Sequence, residues 1–190
     1  MPAATHRTCV RCARTAALVA AVALATPGTA AAQQQLPPAR VVAPAVLDNA
    51  RADTLERWAA SMYSTRWQLP RAARLHERAA ALRGDDPRAV QSWRMAAWLY
   101  SATGDHGQGR AMMERAAASA MAVGDVERAA NAYVDAALIA LEAGRADKAP
   151  PLLRKTRVVL GSPLLPDDRR AAILRRIGEE TRLAQAWAAR

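Results

Sequence analysis

Glycine recurs at positions 104, 124 and 144, one every 20 residues. In Gly104-Asp105 and Gly124-Asp125 the glycine suits the left-handed residue that closes a helix, and the aspartate after it can cap the next one. Gly144-Arg145 keeps the stop and lacks the cap. Upstream, Gly84-Asp85-Asp86-Pro87 joins a stop, acidic caps and a proline fit for a first helical turn. Breakers at this spacing leave room for one helix per segment, and loops of two to four residues force neighbours to run antiparallel. Nothing from Leu47 to Arg190 alternates with period two, so strands find no support. The expectation is an all-α chain with helices near 48–65, 70–83, 88–103, 107–122, 126–143, 151–160 and 168–188.

The first 32 residues differ in kind from the rest. Arg7, Arg11 and Arg14 precede an apolar run, Ala16 to Ala25, which ends at Pro27-Gly28; Ala30-Ala31-Ala32 then offers the small residues of a cleavage site. That order is the pattern of a secretory signal peptide, and ten apolar residues are half of the ~20 needed to span a bilayer. Both cysteines, Cys9 and Cys12, lie inside this segment and would leave with it. Three of the 27 basic residues leave too, so the exported chain carries 24 bases against 17 acids and no cysteine to cross-link. Residues 33–46, with Pro37, Pro38 and Pro44 and no period, are expected to form a flexible tether.

A ladder of positions repeats along the helical part. Ala60, Tyr63, Trp67, Ala72, His76 and Ala79 follow steps of 3, 4, 5, 4 and 3. The same steps give Ala97, Tyr100, Gly104, Gly109, Met113 and Ala116, then Ala137, Ala140, Gly144, Ala149, Leu153 and Thr156. Small residues recur where two helices must approach closely. With this ladder, and above all in the stretch Pro70 to Pro87, residues 53–163 resemble the tetratricopeptide repeat family. The spacing departs from the family's 34 residues: Tyr63 to Tyr100 is 37 and Gly104 to Gly144 is 40. Trp67 stands at the turn glycine, Thr156 at the last small alanine, and Pro150-Pro151 moves the expected start of the sixth helix to Pro151.

The resemblance implies a right-handed solenoid of antiparallel helical hairpins over 47–163, closed by a C-terminal capping helix within 164–190. Leu174, Ile177, Thr181, Ala184 and Trp187 give that helix one apolar stripe, for the last repeat or for a second copy of the chain. The family's first helices line a groove for a peptide or partner helix. Carried over, that face comprises Arg57, Ser61 and Ser64, then Gln91, Arg94, Trp98 and Ser101, then Asn131, Val134, Leu138 and Leu141. Arg57, Arg94 and Val134 stand where the family's asparagine clamp would be. An arginine can still grip a carboxylate with two hydrogen bonds, so an acidic or C-terminal segment is the implied ligand.

Chemistry finds little support. The acids Asp85, Asp105, Asp125, Asp147 and Asp167 sit at helix starts, where capping accounts for them. Glu179 and Glu180 are adjacent and point about 100° apart. His76 occupies a packing position and His106 a turn; no metal-ligand spacing or phosphate loop outlasts the signal peptide, and no cofactor is expected. Residues 145–190 hold 11 bases and five acids. Arg154, Lys155 and Arg157, with Arg169, Arg170, Arg175 and Arg176, form either a solvated face or a surface for anionic envelope material, whether lipid headgroups, acidic polymer or acidic protein. Export argues against nucleic acid. The five tryptophans are expected in the core, with Trp98 the candidate for the groove. The functional expectation is an exported, non-catalytic protein-interaction module of the periplasm or cell envelope; the alternative is an electrostatic adaptor using the C-terminal arginines.

Overall fold

A computed structural model describes residues 44–188, and its regular structure is helical throughout, with no strand among them. The helices are α1 (Pro44–Ala60), α2 (Leu69–Arg83), α3 (Arg88–Ala102), α4 (His106–Ala122), α5 (Val126–Glu142), α6 (Ala149–Leu160) and α7 (Asp167–Ala188). Single 3-10 turns, Arg66–Gln68 and Ala146–Lys148, lead into α2 and α6. The segments read as a signal peptide and, up to residue 43, as a tether lie outside the described residues, whereas Pro44, Ala45 and Val46 belong to α1 rather than to a tether.

The glycine stops act as expected. Gly84, Gly104, Gly124 and Gly144 all have positive φ, and at Gly124 the value of 76° is one that a side chain would make costly. Asp105 and Asp125 then accept hydrogen bonds from the backbone N–H of Gln108 at 3.1 Å and of Arg128 at 3.0 Å, capping α4 and α5. Before α3 the acceptor is Asp86, bonded to the Arg88 N–H at 2.8 Å, rather than Asp85.

Each helix from α1 to α6 packs on its neighbours in the chain, and α7 lies against α5, two helices back. The core between them is made largely of alanine, which supplies 19 of the 33 buried apolar residues among those described. Alanine removes little area from water, so the close approach it allows, with dispersion contacts summed along each helix pair, must carry the packing. Gly109 marks the tightest point: a Cβ there would collide with Ser101 Oγ and stand 3.0 Å from the Ala97 carbonyl oxygen. Met112 and Met113, buried in α4, fill the wider gaps.

Three expectations change. First, α1 runs 44–60 instead of 48–65, because Pro44 opens it early and no glycine closes it. The chain turns through 61–65, and Ala59 and Met62 enter the core in place of Ala60 and Tyr63. Trp67, at the missing glycine, projects into solvent with 78% of its surface exposed. Second, α6 begins at Ala149, buried and helical, and Pro150-Pro151 fit within its first turn, where backbone N–H groups have no intrahelical acceptor. Third, the buried stripe of α7 passes through Ile173, and Leu174 is half exposed; Thr181, Ala184 and Trp187 fall beyond the described side chains.

The packing gives opposite outcomes for two neighbouring glycines. Gly109→Ala should destabilise the chain by about 1–3 kcal/mol through overpacking. Gly107→Ala, whose Cβ would meet only Asp105 Oδ1 at 3.7 Å, should be neutral or stabilising by up to ~1 kcal/mol. Urea unfolding followed by circular dichroism measures both.

Candidate partner-binding face

Steps of three and four residues place Gln91, Arg94 and Trp98 on one stripe of α3. Gln91 is exposed, Arg94 is half-buried, and Trp98 keeps 46% of its surface in solvent. Two cavities open along the stripe, one at Gln91 and one at Arg94. One, of about 340 Å3, is lined by Glu56, Arg83, Pro87, Arg88, Gln91 and Arg128. The other, of about 440 Å3, is lined by Arg94, Asp125, Glu127, Arg128, Asn131 and Arg176. Arg128, at the start of α5, borders both, and its guanidinium lies 3.3 Å from the capping Asp125.

Beneath the second cavity lies a buried carboxylate. Asp135 of α5 is 2% exposed. Its Oδ1 accepts a hydrogen bond from Arg176 of α7, and its Oδ2 lies 3.7 Å from Arg94 Nη2 without a hydrogen bond. Arg176 also donates to Asn131 Oδ1 at 3.2 Å. Arg94 Nε is buried and unbonded. One acid thus touches helices α3 and α7 at once, and its charge is tolerated because two cations meet it.

A second network joins α1 to α2 and α3. Arg83 closes α2 with its side chain 3% exposed. It donates to both oxygens of Glu56, the Oε2 bond being 2.7 Å, to Asp53 Oδ1 at 2.6 Å and to Ser92 Oγ. Ser92 in turn donates to Glu56. Burial raises the Glu56 carboxyl, yet hydrogen bonds from Arg83 and Ser92 and the Arg83 charge outweigh it and hold the group below its ordinary value. His76, 5% exposed, shares a hydrogen bond with the Tyr63 hydroxyl through Nε2, while Nδ1 stands 3.9 Å from Glu56 Oε1. Burial lowers the His76 pKa, with the Glu56 charge opposing and Arg83 assisting.

The structure divides the expected groove residues. Gln91, Arg94 and Trp98 share the open stripe, and Asn131 lies beside it under Arg176. Val134, 1% exposed, belongs to the core. Ser101 faces α4, packed on Gly109, and leaves the groove set for that reason. Leu138 and Leu141 are half-buried against the core. Arg57 is exposed and donates to Thr54 at 3.3 Å; Ser61 and Ser64 stand past the end of α1, where the turn removes them from its helical face.

The seven C-terminal cations do not form one patch either. Arg170 donates to the carbonyls of Leu160, Ser162 and Leu165 and so fixes the corner between α6 and α7. Arg176 serves Asp135, Lys155 bonds Glu114 at 3.0 Å, and Arg169 lies 3.6 Å from Glu127. Arg154, Arg157 and Arg175 remain exposed. Of the tryptophans, Trp58 and Trp67 join Trp98 at the surface, and Trp93 is half-buried with the Arg115 guanidinium 5.1 Å above its ring. His106 is half-buried, with Nδ1 enclosed and unbonded, instead of freely solvated. Arg83, Arg128 and Asp135 were missing from the sequence-based set. Arg83 and Asp135 break an apolar helical stripe with a charge, which is the one signal that could have flagged them.

No protein-family model matches this chain, and neither a characterised protein sequence nor a solved structure matches it.

Two outcomes test the Arg83 network. Arg83→Ala should cost about 3 kcal/mol or more, since it leaves Glu56 without its main partner, against ~0.5 kcal/mol or less for the exposed Arg115→Ala. The second concerns pH. A histidine whose folded pKa is lowered carries no penalty above its unfolded value of about 6.5, and a growing one as pH falls below it. The wild-type chain should therefore lose stability from pH 7 to pH 5, above the range where Glu56 titrates, and His76→Gln should flatten that slope. Denaturant midpoints across this range decide it.

Proposed function

We propose that the chain is an exported, non-catalytic interaction module whose consecutive hairpins form a tetratricopeptide-like right-handed solenoid, with α7 as its cap. The observation that carries the binding function is the α3 stripe of Gln91, Arg94 and Trp98, in which Gln91 and Arg94 each line a cavity and an exposed tryptophan stands one turn beyond the half-buried arginine. Such a pairing suits an extended segment bearing a carboxylate and an apolar neighbour: Arg94 takes the carboxylate and Trp98 the apolar group. Consecutive antiparallel packing, alanine at the close approaches and α7 resting on α5 support the solenoid. Export rests on residues 1–32 alone. The non-catalytic assignment rests on where the titratable groups are: Glu56 and Asp135 are held in ion pairs, and Ser92 is fully buried.

The electrostatic adaptor is the weaker reading, because Arg170 and Arg176 are spent inside the fold and Lys155 and Arg169 have acidic neighbours. A pull-down from envelope extract with the chain from Gln33 onward separates the two. A groove ligand should persist at high salt with wild type and be lost with Gln91→Ala/Arg94→Ala/Trp98→Ala. Arg154→Ala/Arg157→Ala/Arg175→Ala should leave it in place. Retention only at low salt, sensitive to the second set and not the first, would transfer the function to the arginine surface.

A further inference from the structure

The face of α5 that carries Asn131 is covered by the chain's own C-terminal helix. Glu127, Asn131 and Asp135 lie four residues apart, on one acidic and polar stripe of α5. Along it Arg169 meets Glu127, and one helical stretch later Arg176 meets Asn131 and Asp135, so the two helices run in the same direction. Among the described side chains the contact is mainly polar. From Asp167 to Glu180 only Ile173 is buried, Ile177 is partly buried, and Leu174 is half exposed. Docking that depends on a buried ion pair fixes register well and yields little net stability, because desolvation offsets most of the attraction.

The site also holds a reserve for the undocked state. Asp135 Oδ2 has no hydrogen bond, and Arg94, 3.7 Å away, has an unbonded Nε. When Arg176 departs, Arg94 can close on Asp135 and keep the carboxylate paired, so that opening does not strand a buried charge. The element therefore has two satisfied arrangements, which a switch requires.

We propose that α7 is a displaceable occupant of the α5 face, with Arg176 standing in for the guanidinium of a basic partner helix that the stripe Glu127–Asn131–Asp135 recognises once α7 leaves. This rests on the interaction-module reading and shares Arg94 with it, as the reserve partner of Asp135; the tests of release and basic specificity vary only Arg176 and Asp135 and leave Gln91, Arg94 and Trp98 unchanged. A partner at α5 must be basic and must compete with α7, whereas a ligand at Arg94 must be acidic.

Hydrogen exchange on the chain from Gln33 onward tests the release. Arg176→Gln should speed exchange of the α7 amides ten-fold or more and leave α2, α3 and α4 unchanged. Unchanged α7 exchange, or acceleration spread over all helices, would overturn the proposal. The receptor is tested by fluorescence anisotropy with a labelled synthetic peptide of residues 167–188. It should bind the Arg176→Gln chain at least ten times more tightly than wild type, and adding Asp135→Asn should remove that gain. Equal binding to wild type and Arg176→Gln, no binding to either, or indifference to Asp135→Asn would also overturn it. None of these results bears on the loss of ligand by Gln91→Ala/Arg94→Ala/Trp98→Ala, so the two ideas fail separately.

Discussion

The fold depends on how closely its helices can approach. Ala97 and Gly109, where α3 meets α4, set a separation that no larger residue would permit, and alanines recur at the other helix contacts. A core of this kind has little apolar area per residue, so it cannot absorb a misplaced charge cheaply. Its two buried ionic groups, Arg83 and Asp135, are accordingly met by several partners each. Alanine also has the strongest helix propensity, which lets local preference and tertiary packing agree along most of α2 to α5.

Those two hubs divide the labour. Arg83 ties α1 to the start of the row, with hydrogen bonds to Asp53 and Glu56 and to Ser92. Asp135 ties its end, reaching Arg94 on one side and Arg176 on the other. The first hub holds a helix whose C-terminus lacks a glycine stop. The second holds a helix that packs on only one principal neighbour. In both cases a polar network fastens an element at one end of the row, and in both the acid lies on one helix and the base on another.

Much of the architecture was legible in the sequence because glycine and aspartate state their roles locally. Gly104, Gly124 and Gly144 marked the ends of α3, α4 and α5 and the starts of α4 and α5 to within a residue, and Asp105 and Asp125 cap as their position implies. The first hairpin was not legible: without a glycine, the end of α1 depends on packing, and the ladder slipped by one residue to Ala59 and Met62. The site was half legible. The face carried over from the repeat resemblance included Gln91, Arg94 and Trp98, which do share one stripe, but burial is a tertiary property: Val134, expected in the groove, lies in the core, and its neighbour Asp135 is buried as an ion-pair partner. Charge counting failed for a similar reason. Arg170 and Arg176 look free in sequence because their acceptors, backbone carbonyls and a distant Asp135, are contributed by the fold.

The placement of the aromatic residues has an optical consequence. With no phenylalanine, Trp58, Trp67 and Trp98 exposed, and Trp93 only half-buried under an arginine, the ultraviolet emission of the described tryptophans originates largely at the surface. Unfolding changes the surroundings of such indoles modestly, whereas a ligand settling on Trp98 changes them a great deal. Residues that usually report the interior of a protein are, at Trp58, Trp67 and Trp98, stationed as observers of whatever approaches it.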